Sequence, residues 1–470
     1  MNDLAQLTAL ELRDGYRTGA ISPVEATRAA LEAIEEWDPE VNAFVAVHAD
    51  EALGQAADSE RRWRDGAPLG PGDGIPTSIK DIFYTRGWPT LRGTRLIDAD
   101  RPWEEDAPCV ARLRETGAVF LGKTTTPEFA WKGVTDSLRH GSTGNPRAPR
   151  LTSGGSSGGS ATAVGLGMGP WSMGTDGGGS VRIPAAFTGT VALKPTYGLV
   201  PMFPASPFGT LAHAGPMTRT VADSALLLDV VTGYDPRDWS ALPTPSGSFL
   251  DGLHDGVRGL RIAFSPTLGF GTNDPEIDRL VRAAAATFEG LGAIVEEVDP
   301  GITDPVEAFH VLWFAGAAKV LEGYGPGAAE QVDPGLRTSI EEQGHISASE
   351  FLDATAVRME LGVRMGLFHE TYDLLLTPTL PLPAFPRGRD VPEGWSSRHW
   401  TSWTPYTYPF NMTQQPAMSV PCGFTEEGLP AGLQIIGPRH ADRTVLRAAQ
   451  AYETAAAWRT ERPAALVRES

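Results

Sequence analysis

Two short stretches crowd serine hydroxyls among glycines: Gly154–Ser160 (GGSSGGS) and Gly174–Ser180 (GTDGGGS). Flexible linkers share this composition, but linkers do not sit beside apolar runs such as Ala161–Leu166 or lead straight into Val181–Phe187 (VRIPAAF). Glycine has a chemical use next to a serine. Lacking Cβ, it turns successive backbone N–H groups toward one point. Donors so placed stabilise the oxyanion of a tetrahedral intermediate, worth about 3–4 kcal/mol per donor in measured cases. Gly177, Gly178 and Gly179, just before Ser180, have the composition of such an oxyanion hole.

A serine nucleophile needs a base. No histidine lies near either cluster in sequence, although His213, His369 and His440 follow. A buried lysine serves if desolvation lowers its pKa toward neutrality. Lys80 fits, inside the otherwise apolar Ile75–Phe83 (IPTSIKDIF). Its structural alternative is a strand-end lysine paired with the adjacent Asp81, and the residues alone weigh the two equally.

Two further motif matches fail on context. Gly117–Thr124 (GAVFLGKT) fits the phosphate-binding pattern G-x-x-x-x-G-K-[ST], but its intervening residues form an apolar strand where that motif requires a loop. Gly154-x-Ser156-x-Gly158 and Gly155-x-Ser157-x-Gly159 fit the nucleophile elbow of α/β-hydrolases, which needs a buried strand before it. The polar, proline-interrupted 144–153 is no such strand. A His-dependent esterase using Ser156 or Ser157 is therefore the runner-up.

Around these groups, helix and strand signals alternate. Thr8/Glu11 and Ser22/Glu25 read as capping boxes opening helices across the first sixty residues or so. Ile75–Phe83, Ala118–Leu121, Arg261–Phe264, Ala293–Val298, Leu374–Leu376 and Gly432–Ile436 read as strands, and Asp274–Leu291 as a helix. The expected fold is one α/β domain over 1–470, a large twisted mixed sheet with helices on both faces. A long aromatic-rich loop covers about 381–410. Of its rings, Trp395, Trp400 and Trp403, joined by Trp131, are the candidate substrate-binding residues, forming an aromatic mouth for an apolar substrate. No basic residue is evident there to hold a free carboxylate.

Composition bounds the rest. A net charge of −19, from 39 basic and 58 acidic side chains, would repel nucleic acid. No apolar run is long enough to span a membrane. The N-terminal stretch lacks the basic start and apolar core of a signal peptide, so a cytoplasmic location is expected. Two cysteines and no Cys/His cluster exclude a disulfide framework and imply neither metal nor cofactor. The expected partner is a small-molecule amide, ester or carbamate, acted on by a monomer or homodimer.

Taken together, seven ordered blocks resemble the amidase signature family, which includes bacterial amidases, fatty acid amide hydrolases and the A-type components of glutamine amidotransferases. Gly74–Asp81 looks like the family's lysine strand. Gly117–Lys123 through Ala130 resembles the segment after it, and Gly154–Ser160 and Gly174–Thr196 resemble the signature itself. Tyr372–Thr379, Pro421–Phe424 and Gly428–Gln434 resemble the C-terminal strands. The resemblance implies a Ser-Ser-Lys triad: Ser180 as nucleophile, Lys80 as base, and Ser156 as a proton relay next to a cis peptide bond. It implies that Ser157 and Ser160 serve the loop backbone, and that Thr175 and Asp176 brace the nucleophile loop, Asp176 through Arg182. It implies a stand-alone amidase of the aryl acylamidase kind, acting on linear amides, with esters and carbamates (urethanes) also cleaved. The A-type component of an amidotransferase is the other alternative. Two departures stand out: Ser153 replaces a frequent proline, and Gly177 a frequent threonine or isoleucine.

Overall fold

The computed structural model describes residues 3–456, so the expected domain limits at 1 and 470 lie outside the described residues. Both capping boxes form. The Thr8 and Ser22 side chains accept the N–H of Glu11 and Glu25, whose carboxylates return to the cap N–H, opening helices Ala9–Thr18 and Pro23–Val41. The second buries Ala26, Ala29, Ala30, Ala33 and Ile34 as one stripe.

Eleven strands among the described residues build one mixed sheet. They are β1 (Phe44–Val47), β2 (Pro76–Lys80), β3 (Val119–Thr124), β4 (Trp171–Asp176), β5 (Val191–Lys194) and β6 (His213–Thr218). The remaining five are β7 (Arg261–Phe264), β8 (Ile294–Glu297), β9 (Leu374–Pro378), β10 (Ala417–Phe424) and β11 (Pro430–Ile436). Their spatial order is β1-β3-β2-β4-β6-β5-β10-β11-β9-β7-β8. β2 runs parallel to both β3 and β4. From β4 through β6, β5, β10 and β11 to β9 the neighbours are antiparallel, and parallel pairing resumes through β7 to β8.

Alternate strand residues enter different apolar clusters, as period-two geometry requires of a sheet covered on both faces. Phe120 joins one cluster while Val119 and Leu121 join another. Leu374 and Leu376 lie opposite Leu375, and Ile262 and Phe264 opposite Ala263. On β2, Ile79 enters the main cluster, and Lys80 emerges on the other side.

The strand expected over 75–83 is shorter than its apolar pattern. It stops at Lys80, where the N–H groups of Ile82 and Phe83 turn back to the Lys80 carbonyl at 2.7 and 3.1 Å. The phosphate-loop match ends within the sheet. Gly122, Lys123 and Thr124 are strand residues, and a Cβ on Gly122 would lie 2.1 Å from the Ala46 carbonyl of β1. Ser157 precedes the helix Gly158–Gly165 at its N-cap position, and what precedes it is a loop with two isolated bridges, not the strand an elbow needs.

Candidate active site

Lys80 ends β2 at the buried side of the Gly/Ser loops, with 0% of its surface exposed. Its Nζ lies 2.7 Å from Ser156 Oγ, 2.8 Å from Ser157 Oγ and 2.7 Å from Thr175 Oγ1. Three hydroxyls and no carboxylate surround it. Burial pulls its pKa well below the ordinary lysine value, opposed only in part by the more distant charge of Asp176. The structural alternative for Lys80 does not form, because Asp81 pairs with Lys123 at 3.6 Å.

The hydroxyls around Lys80 differ in what else they do. Ser157 Oγ donates to the Thr175 carbonyl (3.1 Å) and accepts the Thr175 N–H (3.3 Å), so its proton is already committed. Ser156 Oγ has Lys80 as its hydrogen-bond partner, and the Gly155–Ser156 peptide is cis. Ser180 comes beside this pair, its carbonyl accepting the Ser157 N–H at 3.1 Å. Ser160 takes no part: it bonds Thr124 Oγ1 at 2.8 Å and the Met173 carbonyl at 3.3 Å.

Asp176 fixes the loop that carries Ser180. Its carboxylate accepts the N–H of Gly179 (2.8 Å) and Val181 (3.2 Å), two nitrogens of Arg182 (both 2.9 Å), and Asn411 Nδ2 (2.8 Å). Burial alone would raise its pKa. Arg182, Lys194 and Asn411 outweigh that and hold it below the usual carboxylate range. Arg182 continues the network to Gln434 Oε1 and Asn411 Oδ1, both at 2.6 Å. The Gly179 N–H is thus spent on Asp176, a correction to its expected place in an oxyanion hole. Gly177 and Gly178 remain the candidates.

Ser156, Thr175, Gly177 and Ser180 line one cavity that opens to solvent. Its wall is mostly apolar, with Phe83, Phe129, Phe203, Phe208 and Trp313 among the rings. The four tryptophans expected at the mouth are elsewhere. Trp131 is buried, and its carbonyl accepts Trp313 Nε1 at 3.0 Å. Trp403 stacks on Phe187 and donates to the Asp390 carbonyl. Trp395 is 38% exposed and donates to Ser402 Oγ. Trp400 is buried against Phe309 and Trp313. The loop's rings anchor it to the body, and the rings around Ser180 come from other segments. Trp313 sits in the helix Val306–Glu322, whose near-continuous apolar pattern gave no sign of a site. Sequence reasoning also passed over Arg92, which lines the same cavity.

Among the described residues no histidine joins this group. His213 Nδ1 lies 2.8 Å from the Leu211 carbonyl and its Nε2 3.5 Å from Lys194 Nζ. His369 lies against the Tyr372 carbonyl and Gln415 Nε2.

A mixed α/β sheet presenting a buried lysine, glycine-flanked serines and an apolar cavity is a setting suited to acyl transfer from a carbonyl substrate. The chain belongs to the amidase family, whose profile matches residues 25–446. It is 37% identical over 468 residues to an acylamidase of Rhodococcus erythropolis, covering 98% of each chain. It is 35% identical to the A-type component of the glutamyl-tRNA(Gln) amidotransferase of Geobacter sp. (strain M21), over 97% of this chain and 98% of that one. Among solved structures, a bacterial aryl acylamidase of the amidase signature family superposes with TM-score 0.90 at 33% identity, over 96% of both chains. A 6-aminohexanoate cyclic dimer hydrolase superposes with TM-score 0.89 at 28% identity, over 99% of this chain and 100% of that one. No helix among the described residues is long and apolar enough to cross a membrane.

Proposed function

We propose that this chain hydrolyses linear amides carrying a bulky apolar group, aryl amides above all, with esters and carbamates also accepted. The observation that carries the mechanism is the Lys80–Ser156 contact of 2.7 Å on the wall of the cavity that holds Ser180. A neutral amine has one lone pair and two N–H groups. Ser157, its own proton committed, takes an N–H from Lys80, and Ser156 is the hydroxyl free to give a proton to the lone pair. The Ser180 proton therefore passes to Ser156 Oγ as the Ser156 proton passes to Lys80. The Ser180 oxygen bonds to the carbonyl carbon, and the oxyanion faces the loop at Gly177 and Gly178. As the C–N bond breaks, the proton returns from Lys80 through Ser156 to the leaving nitrogen. Water then attacks the acyl-enzyme, giving its proton along the same route and restoring Ser180. Lysine and hydroxyls suffice for these steps, so no metal or cofactor is invoked.

The apolar wall supports an apolar substrate, and an acylamidase and an aryl acylamidase stand among the relatives. The amidotransferase alternative is disfavoured by the strongly acidic composition, which suits no tRNA partner. We take the chain to act alone in the cytoplasm, as a monomer or homodimer. Treatment with a fluorophosphonate followed by mass spectrometry tests the assignment. The adduct is expected on Ser180; an adduct on Ser157 would revive the elbow reading. Anilide cleavage by the purified chain, without partner or ATP, separates the amidase from the amidotransferase.

A further inference from the structure

Arg92 differs from the rest of the cavity wall. In a chain with 58 acidic against 39 basic side chains, an arginine ordinarily finds a carboxylate. This one has no ion pair and no side-chain hydrogen bond among the described residues, and its Nε is buried without a partner. Its guanidinium lies 5.4 Å from the centre of the Tyr84 ring, which supports one face.

The backbone presents the side chain deliberately. Arg92 has φ +53°, a left-handed conformation uncommon outside glycine, asparagine and aspartate. The preceding N–H, from Leu91, donates to both oxygens of Asp81 at 3.2 Å, next to Lys80 in sequence. The Arg92 carbonyl accepts the N–H of Phe129 at 2.8 Å, and Phe129 lines the cavity too. A Cβ on Gly93 would lie 2.7 Å from the Thr126 carbonyl, so the turn is pressed against the segment leading to Phe129. The same aspartate and the same phenylalanine thus tie this cation to the strand of the base and to the cavity wall.

A guanidinium offers five donors in a planar fork matched to a carboxylate. An unpaired one on a mostly apolar wall is satisfied when an anionic acceptor arrives. We propose that Arg92 is an anion subsite of this cavity, taking a carboxylate borne on the apolar body of the substrate, remote from the scissile bond. The inference rests on the reading that this cavity binds the substrate.

Equilibrium binding tests it without requiring turnover. Phenylbutyrate, phenylbutanol and phenylbutylamine, identical in their apolar body, are titrated calorimetrically into the full chain and into Arg92→Asn and Arg92→Glu. Asparagine suits the positive φ, so it removes the charge with little backbone strain, and thermal melts check folding. Wild type is expected to bind the carboxylate more tightly than the alcohol by on the order of tenfold to a hundredfold. Arg92→Asn should abolish that preference and Arg92→Glu transfer it to the amine. Equal binding of carboxylate and alcohol by wild type, or a carboxylate preference that survives Arg92→Asn, overturns the assignment. A chain that shows the charge preference yet cleaves no anilide would defeat the functional reading above and leave the subsite standing.

Discussion

Gly177 and Trp313 occupy each other's space: a Cβ on Gly177 would lie 2.8 Å from the indole of Trp313. The indole has little room to retreat. It stacks on Phe208 with ring centres 3.9 Å apart, and its Nε1 is held by the Trp131 carbonyl. The next residue repeats the arrangement, since a Cβ on Gly178 would lie 2.8 Å from Trp400 and 2.9 Å from Phe309. The glycines before Ser180 therefore do more than free the backbone; they let two indoles brace the loop that carries Ser180. Gly177→Ile is expected to lower kcat/KM for an anilide by about tenfold or more, equivalent to at least ~1.4 kcal/mol. Adding Trp313→Ala to that variant should recover part of the loss. No recovery in the double variant would mean that the side chain acts on something other than the indole.

The substrate wall is tested by the ratio of kcat/KM for an anilide to that for acetamide and for glutamine. Wild type should favour the anilide. Trp313→Ala and Phe208→Ala should reduce the ratio by about tenfold, as lost aromatic contact does. Trp395→Ala, at an exposed ring outside the cavity lining, should stay within roughly twofold of wild type. A larger effect at Trp395 than at Trp313 would restore the loop as the substrate mouth.

With Lys80 as the proposed base, the pH dependence of activity follows. Only the neutral amine accepts a proton, so activity should fall as pH drops through the Lys80 pKa, which burial places well below the ordinary value. Above that pKa the profile should level off. Lys80→Ala should remove the rising limb and lower kcat by roughly a thousandfold or more. If His213→Ala abolished the limb while Lys80→Ala kept it, the base would be misassigned.

The Asp176–Arg182 pair is fully buried, at 2.9 Å. Breaking it by Arg182→Met leaves a carboxylate unpaired and should cost about 3–5 kcal/mol of stability, read as an earlier denaturation midpoint. Asp176 is depressed in the folded state. Its contribution is therefore complete above the ordinary carboxylate pKa, about 3.9, and is lost as pH falls through the lower folded value. Wild type should show this acid-side loss, and Asp176→Asn should flatten it. An unchanged acid limb in Asp176→Asn would assign the loss to other carboxylates.

Several parts of the molecule were legible without coordinates because their signals are local. The Thr8/Glu11 and Ser22/Glu25 boxes act within one helical turn. The strands at Arg261–Phe264 and Leu374–Pro378 are marked by short apolar runs. Lys80 stands out by its apolar strand and Ser180 by its glycine neighbours, whereas Ser156 is chosen over Ser157 only through the family resemblance. What the sequence could not supply was proximity between distant segments. Thr175 at 2.7 Å from Lys80, Trp313 against Gly177, and Arg92 in the cavity of Ser180 depend on which strands pair and which helix crosses the sheet. The tryptophans of the 381–410 loop show the converse. Their density suggested a binding mouth, but an aromatic ring is amphipathic, and composition cannot say whether it faces a ligand or the core. Burial decided it: Trp400 and Trp403 turned inward because the body offered apolar surface and, for Trp403, the Asp390 carbonyl for its N–H.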